Sequence, residues 1–142
     1  SEYPEIRVLV NDEIEVRRSE QSLYFFGVDD FLTGIPLPLP PRTVEGRAAR
    51  VLVSHNPDYI SELLRSGNAD FQLALCGHTH GGQIRLPGLV SLTAPVEDQR
   101  FLAGLVQAEG RQVYTSRGLG VVGLPFRVNC PPEVTVIELR SA

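Results

Sequence analysis

The 142-residue sequence contains no methionine and only three histidines. Lacking a start residue, it reads as a piece of a longer reading frame, and "YPEIRVLVNDEIEVR" enters strand-like sequence at once, as if in mid-domain. Long apolar runs are absent too. No window approaches the roughly 20 apolar residues of a membrane span, and residues 1–20 are charged and strand-like, unlike a signal peptide. There is no basic stripe: the net charge is −4, and no nucleic-acid patch is evident. Cysteine is scarce. Cys76 and Cys130 could pair, but neither sits in a C-x-x-C spacing, and both read more simply as small buried hydrophobes.

The 42% hydrophobic fraction and a mean hydropathy near zero suit one domain with a real core. Ile6–Val10 and Ile14–Arg17, separated by the turn signal Asn11-Asp12-Glu13, predict a hairpin with one wet face. Leu23–Val28 predicts a strand that stops at Asp29-Asp30. Residues 34–42, "GIPLPLPPR", deny a ladder its N–H donors and predict an extended surface loop. A short helix is expected over 43–49.

The clearest unit follows. Val51–Ser54 predicts a strand. Asn56 caps a helix with Pro57 in its first turn and Asp58 near the positive dipole end. Tyr59, Ile60, Leu63 and Leu64 share one helical face, Gly67 and Asn68 stop the helix, and Phe71–Leu75 is the next strand. Phe101–Gln107 and Gln112–Ser116, joined at Glu109-Gly110, predict a second hairpin. Arg117–Leu124 reads as a glycine-rich loop. Val134–Leu139 alternates and predicts a last strand, at an edge. The fold class is α/β, strand-rich, with one or two helices.

All three histidines fall just beyond strands of the β-helix-β unit, where α/β sheets usually bind ligands. His55 follows "VLVS"; His78 and His80 follow "LALCG" and precede Gly81-Gly82. Imidazole is a strong ligand for divalent first-row ions, and glycines at 77, 81 and 82 permit a sharp bend and close approach. Together the three point to a metal site. A single zinc site with an open position is one reading. A metallo-β-lactamase pattern wants Asp and His soon after H-x-H, and "HTHGGQ" has neither. An H-x-H barrel needs a much longer chain. Asp29 and Asp30 read as turn residues before metal carboxylates. Asn56 and Asp58 read as capping residues before orienters of His55. Cys76 is expected to pack inward. Arg117, in the glycine-rich loop, is a weak candidate for meeting a phosphate, with a plain surface arginine the simpler reading.

"GHTHGGQIRLPG", "VLVSHNPD", "LYFFGVDDF" and "TSRGLGVVGLPFRVNCPPEVTVIEL" resemble the C-terminal blocks of calcineurin-like metallophosphoesterases, and in particular a bacterial branch that is membrane-associated or exported. G-H-x-H followed by G-G-Q is far more specific than H-x-H alone. The resemblance implies the C-terminal half of an α/β/β/α sandwich, with residues 1–142 forming a single unit. It implies two divalent ions of Mn, Fe or Zn type, with His55 and His78 on one and His80 on the other. It also implies in-line hydrolysis of phosphate mono- or diesters, the ions neutralising the charge that develops. The D-x-H, G-D-x-x-D and G-N-H blocks of the family are not in this sequence, so the ligand set is incomplete. The expected partners are therefore a phosphate-ester substrate and the missing N-terminal half, and an exposed sheet edge could drive self-association. The isolated chain is expected to be inactive. The competing reading is a non-catalytic metal-binding or interaction module.

Overall fold

A computed structural model describes residues 6–41, 48–86 and 96–140. Six strands form one mixed sheet: β1 (Asp12–Arg18), β2 (Gln21–Gly27), β3 (Ala49–Ser54), β4 (Leu73–Cys76), β5 (Gly104–Ala108) and β6 (Arg111–Thr115). The spatial order is β1-β2-β3-β4-β6-β5. The four inner strands run parallel, and an antiparallel strand closes each edge. The α-helix α1 (Asp58–Ser66) joins β3 to β4. The arrangement is the strand-rich α/β fold that the sequence implies.

Helix α1 forms where its residues direct it. The Asn56 side-chain oxygen accepts the Asp58 N–H at 2.8 Å, satisfying a donor that the first turn leaves orphaned. Tyr59, Ile60, Leu63 and Leu64 are all buried. Gly67 adopts φ 73° and its N–H returns to Leu63 and Leu64, a left-handed ending that glycine takes without steric cost.

The buried face of α1 covers a row that crosses the sheet. Phe26 stands opposite Leu52, Leu52 opposite Ala74, and Ala74 opposite Val113; each is 2% exposed or less. Phe71, fully buried at the entry to β4, completes the cluster. Each large apolar side chain buried this way contributes about 1.5–3 kcal/mol. The other face is covered only in part. Leu9 lies against Gly27 and residues 133–135 reach Tyr114, but Val16, Val53 and Leu105 stay exposed.

At the N-terminal ends of the parallel strands, Arg50 is buried. It bonds Glu13 at 2.8 Å, Asp70 at 3.2 Å and the Pro40 carbonyl at 3.1 Å. This ties β1, β3 and the proline loop together without leaving an unpaired buried charge. The proline segment is indeed a loop, held by Asn11, which donates to the Ile35 carbonyl and accepts from the Leu37 N–H.

Two expectations need correction, and a third lies mostly outside the described residues. The first hairpin is β1 with β2, turning at Ser19-Glu20, and residues 6–10 form no strand. Asn11 does bend, at φ 52°, but as the anchor for the proline loop. Residues 134–139 form no strand either. Their alternation gives two faces, yet among the described residues no ladder pairs with them, and Val134 and Val136 are exposed. Of the helix expected over 43–49, residues 43–47 lie outside the described residues, and Ala49 already belongs to β3.

Phe71→Ala, in the protein that carries this chain, is expected to cost about 3–5 kcal/mol, the usual range for emptying a buried aromatic site. Urea unfolding measures it, and a loss below about 1 kcal/mol would remove Phe71 from the core.

Candidate metal centre

The parallel strands end together. Gly27 pairs with Val53, Ser54 with Cys76, and Cys76 with Thr115. The segments leaving those ends therefore share one edge: Asp29 and Asp30 after β2, His55 after β3, His78 and His80 after β4, and Arg117 after β6. The ladder continues just past the strands, with the Gly77 N–H on the His55 carbonyl at 3.0 Å.

His55 and His78 meet there. His55 Nε2 and His78 Nδ1 are 3.3 Å apart, with the rings edge to face at 5.0 Å. Two nitrogens bound to one ion at about 2.1 Å stand roughly 3–3.4 Å apart, so this separation fits neighbouring ligands of one divalent ion. The far nitrogen of His78, Nε2, is buried and has no hydrogen-bond partner, and a buried polar atom in that state calls for one. Burial, followed by the proximity of His55, holds the His78 imidazole below its ordinary pKa, with Asp30 and Asp58 opposing. It is thereby biased toward the neutral, ligating form.

The bend is strained. His78 (φ 65°) and His80 (φ 50°) are both left-handed, a conformation that costs a non-glycine residue about 1–2 kcal/mol and recurs at functional sites. Thr79, 1% exposed, anchors it by donating to the Leu102 carbonyl at 2.7 Å and accepting the Gly81 N–H at 3.1 Å. Gly81 is required: at φ 61° a Cβ would sit 2.4 Å from Arg117 Cγ and 2.9 Å from Cys130 Sγ.

His80 diverges from the pair. Its Nδ1 faces the Gly120 carbonyl at 3.2 Å. Among the described residues no group of three or more His, Cys, Asp and Glu gathers to hold one ion. The three histidines thus share an edge, but only His55 and His78 touch.

Asp29 accepts the Asp30 and Ile35 N–H groups, and Asp30 accepts from Leu32 and Thr33, so both build a turn. Asp58 accepts the Glu97 N–H at 2.9 Å. Cys76 and Cys130 are unpaired and buried, and burial pushes the Cys76 thiol up to about 12. Arg117 is ion-paired to Glu133 instead of facing solvent alone.

Two residues escaped the sequence reading. Gln83, 2% exposed, donates to the Val122 and Leu124 carbonyls and accepts the Val122 N–H, stitching the histidine bend to the glycine-rich loop. Arg127 bonds carbonyls from both segments, His80 among them. The one signal was position: a glutamine directly after His-Gly-Gly, and an arginine beyond a glycine-rich loop.

Over 135 residues the chain is 41% identical to the phosphodiesterase YaeI of Escherichia coli (strain K12), covering 94% of this chain and 47% of that protein. Over 121 residues it is 34% identical to the uncharacterized metallophosphoesterase YkuE of Bacillus subtilis (strain 168), covering 80% and 39%. The chain belongs to the calcineurin-like metallophosphoesterase family. A transmembrane protein with metallophosphoesterase domain from Danio rerio is 32% identical over 133 residues, 92% of this chain and 27% of that one. The chain thus spans about half or less of the length of these metallophosphoesterases. No protein-family model matches it, and no solved structure matches it significantly. Among the described residues no helix is long and apolar enough to cross a membrane.

The Glu133 carboxylate takes the Arg117 guanidinium at 2.6 Å, the Arg117 N–H at 3.0 Å and the Tyr114 hydroxyl at 2.8 Å. These partners, Arg117 first, bring its pKa from 4.5 down to about 2. A depressed folded pKa means that the unfolded chain takes up the proton first. The contribution to stability is therefore present above about pH 4.5 and lost as pH falls toward 2. Thermal unfolding of wild type and Glu133→Gln should show a gap that closes across that window. A gap independent of pH would exclude the ion pair.

Proposed function

We propose that this chain carries the C-terminal histidine ligands of a dinuclear phosphoesterase centre, with the other ligands supplied by sequence outside these 142 residues. The single observation behind this reading is the meeting of His55 Nε2 and His78 Nδ1 at 3.3 Å on the edge where the parallel strands end. His55 and His78 would hold one divalent ion of Mn, Fe or Zn type, and His80, diverging from the same bend, the other. Bound ions would polarise a phosphate ester and lower the pKa of an attacking water. The protein's own part is to fix the imidazoles before substrate arrives, through Thr79, the Gly81 contact and Gln83. The substrate class is a phosphate mono- or diester; the name of the Escherichia coli relative, a phosphodiesterase, favours the diester.

The half-covered second face of the sheet supports the same reading. Parallel sheets are nearly always covered on both faces, and exposed Val16, Val53 and Leu105 offer a surface for the rest of an α/β/β/α sandwich. The alternative, a non-catalytic metal-binding module, draws on the absence of a third converging ligand among the described residues. It requires that the reading frame around this sequence lack D-x-H and G-D-x-x-D blocks, and finding them would end it.

The test is the protein from its complete reading frame, loaded with Mn²⁺ and assayed on aryl phosphate mono- and diesters. His78→Ala is expected to lower kcat/KM by roughly 100-fold or more, beyond the 10–100-fold that losing an outer-shell partner costs. Unchanged turnover in that variant would overturn the assignment.

A further inference from the structure

We infer that Arg127 is a positioning residue that fixes the His80 imidazole in its Nδ1–H tautomer and so leaves Nε2 as the electron-pair donor. As a statement about metal binding this rests on the function proposed above; as a statement about the tautomer it does not.

The Gly120 carbonyl decides which nitrogen of His80 carries the proton. A carbonyl oxygen only accepts hydrogen bonds, so the His80 nitrogen facing it at 3.2 Å, Nδ1, must carry the proton. A neutral imidazole holds one proton, and Nε2 is then a lone pair. The tautomer therefore depends on keeping the Gly120 oxygen in place. Glycines at 118, 120 and 123 give residues 118–124 little stiffness of their own.

Arg127 supplies the stiffness. Its Nη2 and Nε both donate to the Gly120 oxygen, at 2.6 and 3.1 Å. Nη2 also reaches the Arg117 carbonyl at 2.7 Å and that of Gly118 at 3.3 Å. Nη1 donates to the His80 carbonyl at 3.0 Å and to that of Cys130 at 3.4 Å. One planar cation thus holds both ends of the relevant contact: the backbone that carries the His80 ring and the oxygen that accepts its proton. The five donors of a guanidinium lie in a fixed fork, whereas an ammonium is a point charge with three. Lysine at 127 keeps the charge but cannot reach these carbonyls together.

The experiment reads imidazole tautomers by long-range ¹H–¹⁵N correlation in the metal-free protein from its complete reading frame, at a pH where the three rings are neutral. Wild-type His80 is expected as the Nδ1–H tautomer. In Arg127→Lys it is expected to shift to a mixture rich in Nε2–H, while the His55 and His78 signals stay in place. Wild-type His80 in the Nε2–H form would overturn the inference without any variant. So would an unchanged Nδ1–H signal in Arg127→Lys, or equal movement of all three histidines, which marks a global structural effect. Mn²⁺ titration is the second readout. Arg127→Lys should weaken by about 10–100-fold the same site that His80→Ala abolishes. If His80→Ala leaves Mn²⁺ binding intact, the metal reading fails, and the tautomer measurement still decides the role of Arg127.

Discussion

The register of the parallel sheet is the constraint on which the rest depends. Phe26, Leu52, Ala74 and Val113 form one buried row across four strands, and α1 packs on it. A slip of one residue in any strand would turn that strand's apolar side chains to the other face. Because the row pins the register, it also pins where each strand ends, and the residues that follow inherit the alignment. His55 and His78, 23 positions apart in sequence, meet because Ser54 and Cys76 are partners in the ladder. The meeting of these two imidazoles is in this sense a by-product of core packing some distance away.

The bend after β4 works against that economy. Two left-handed histidines in three residues would relax if nothing held them. What holds them is a set of hydrogen bonds that individually contribute about 0.5–1.5 kcal/mol: Thr79 inward to Leu102, Gln83 to the glycine-rich loop, Arg127 to both segments. Collectively they are of the same size as the strain of two left-handed residues, about 1–2 kcal/mol each, and offset it. The loops at this edge are therefore pre-formed, which is the condition under which a ligand set binds an ion without first ordering itself.

Much of this was legible in the sequence. The β-helix-β unit declared itself through Asn56, Pro57 and Gly67, because caps and helical periodicity are local physics. The three histidines stood out because they were scarce and lay beyond strands. What was not legible was pairing. The alternation at residues 6–10 and 134–139 describes two faces of an extended segment and says nothing about a partner strand. Asn11 was seen as a turn residue, and it does bend, but its side chain serves the proline loop 24 residues on. Gln83 and Arg127 were missed for a related reason. Their partners are backbone carbonyls brought close by folding, and a carbonyl has no sequence signature.

The carboxylates at the site edge carry the last step. Asp29, Asp30 and Asp58 each lie near the histidines in the chain or in space, and each accepts backbone N–H groups. A carboxylate committed this way gives up a hydrogen bond if it turns to an ion, and the turn or loop it supports gives up an anchor. These residues therefore favour structural service over ligation. The edge presents imidazole nitrogens and keeps its negative charge in second place. Two divalent ions a few ångströms apart repel each other strongly unless anionic ligands lie among them. In the reading proposed here, the sequence that completes the centre must therefore bring carboxylates, and the imidazoles of this chain are the half of the ligand set that can be assembled without them.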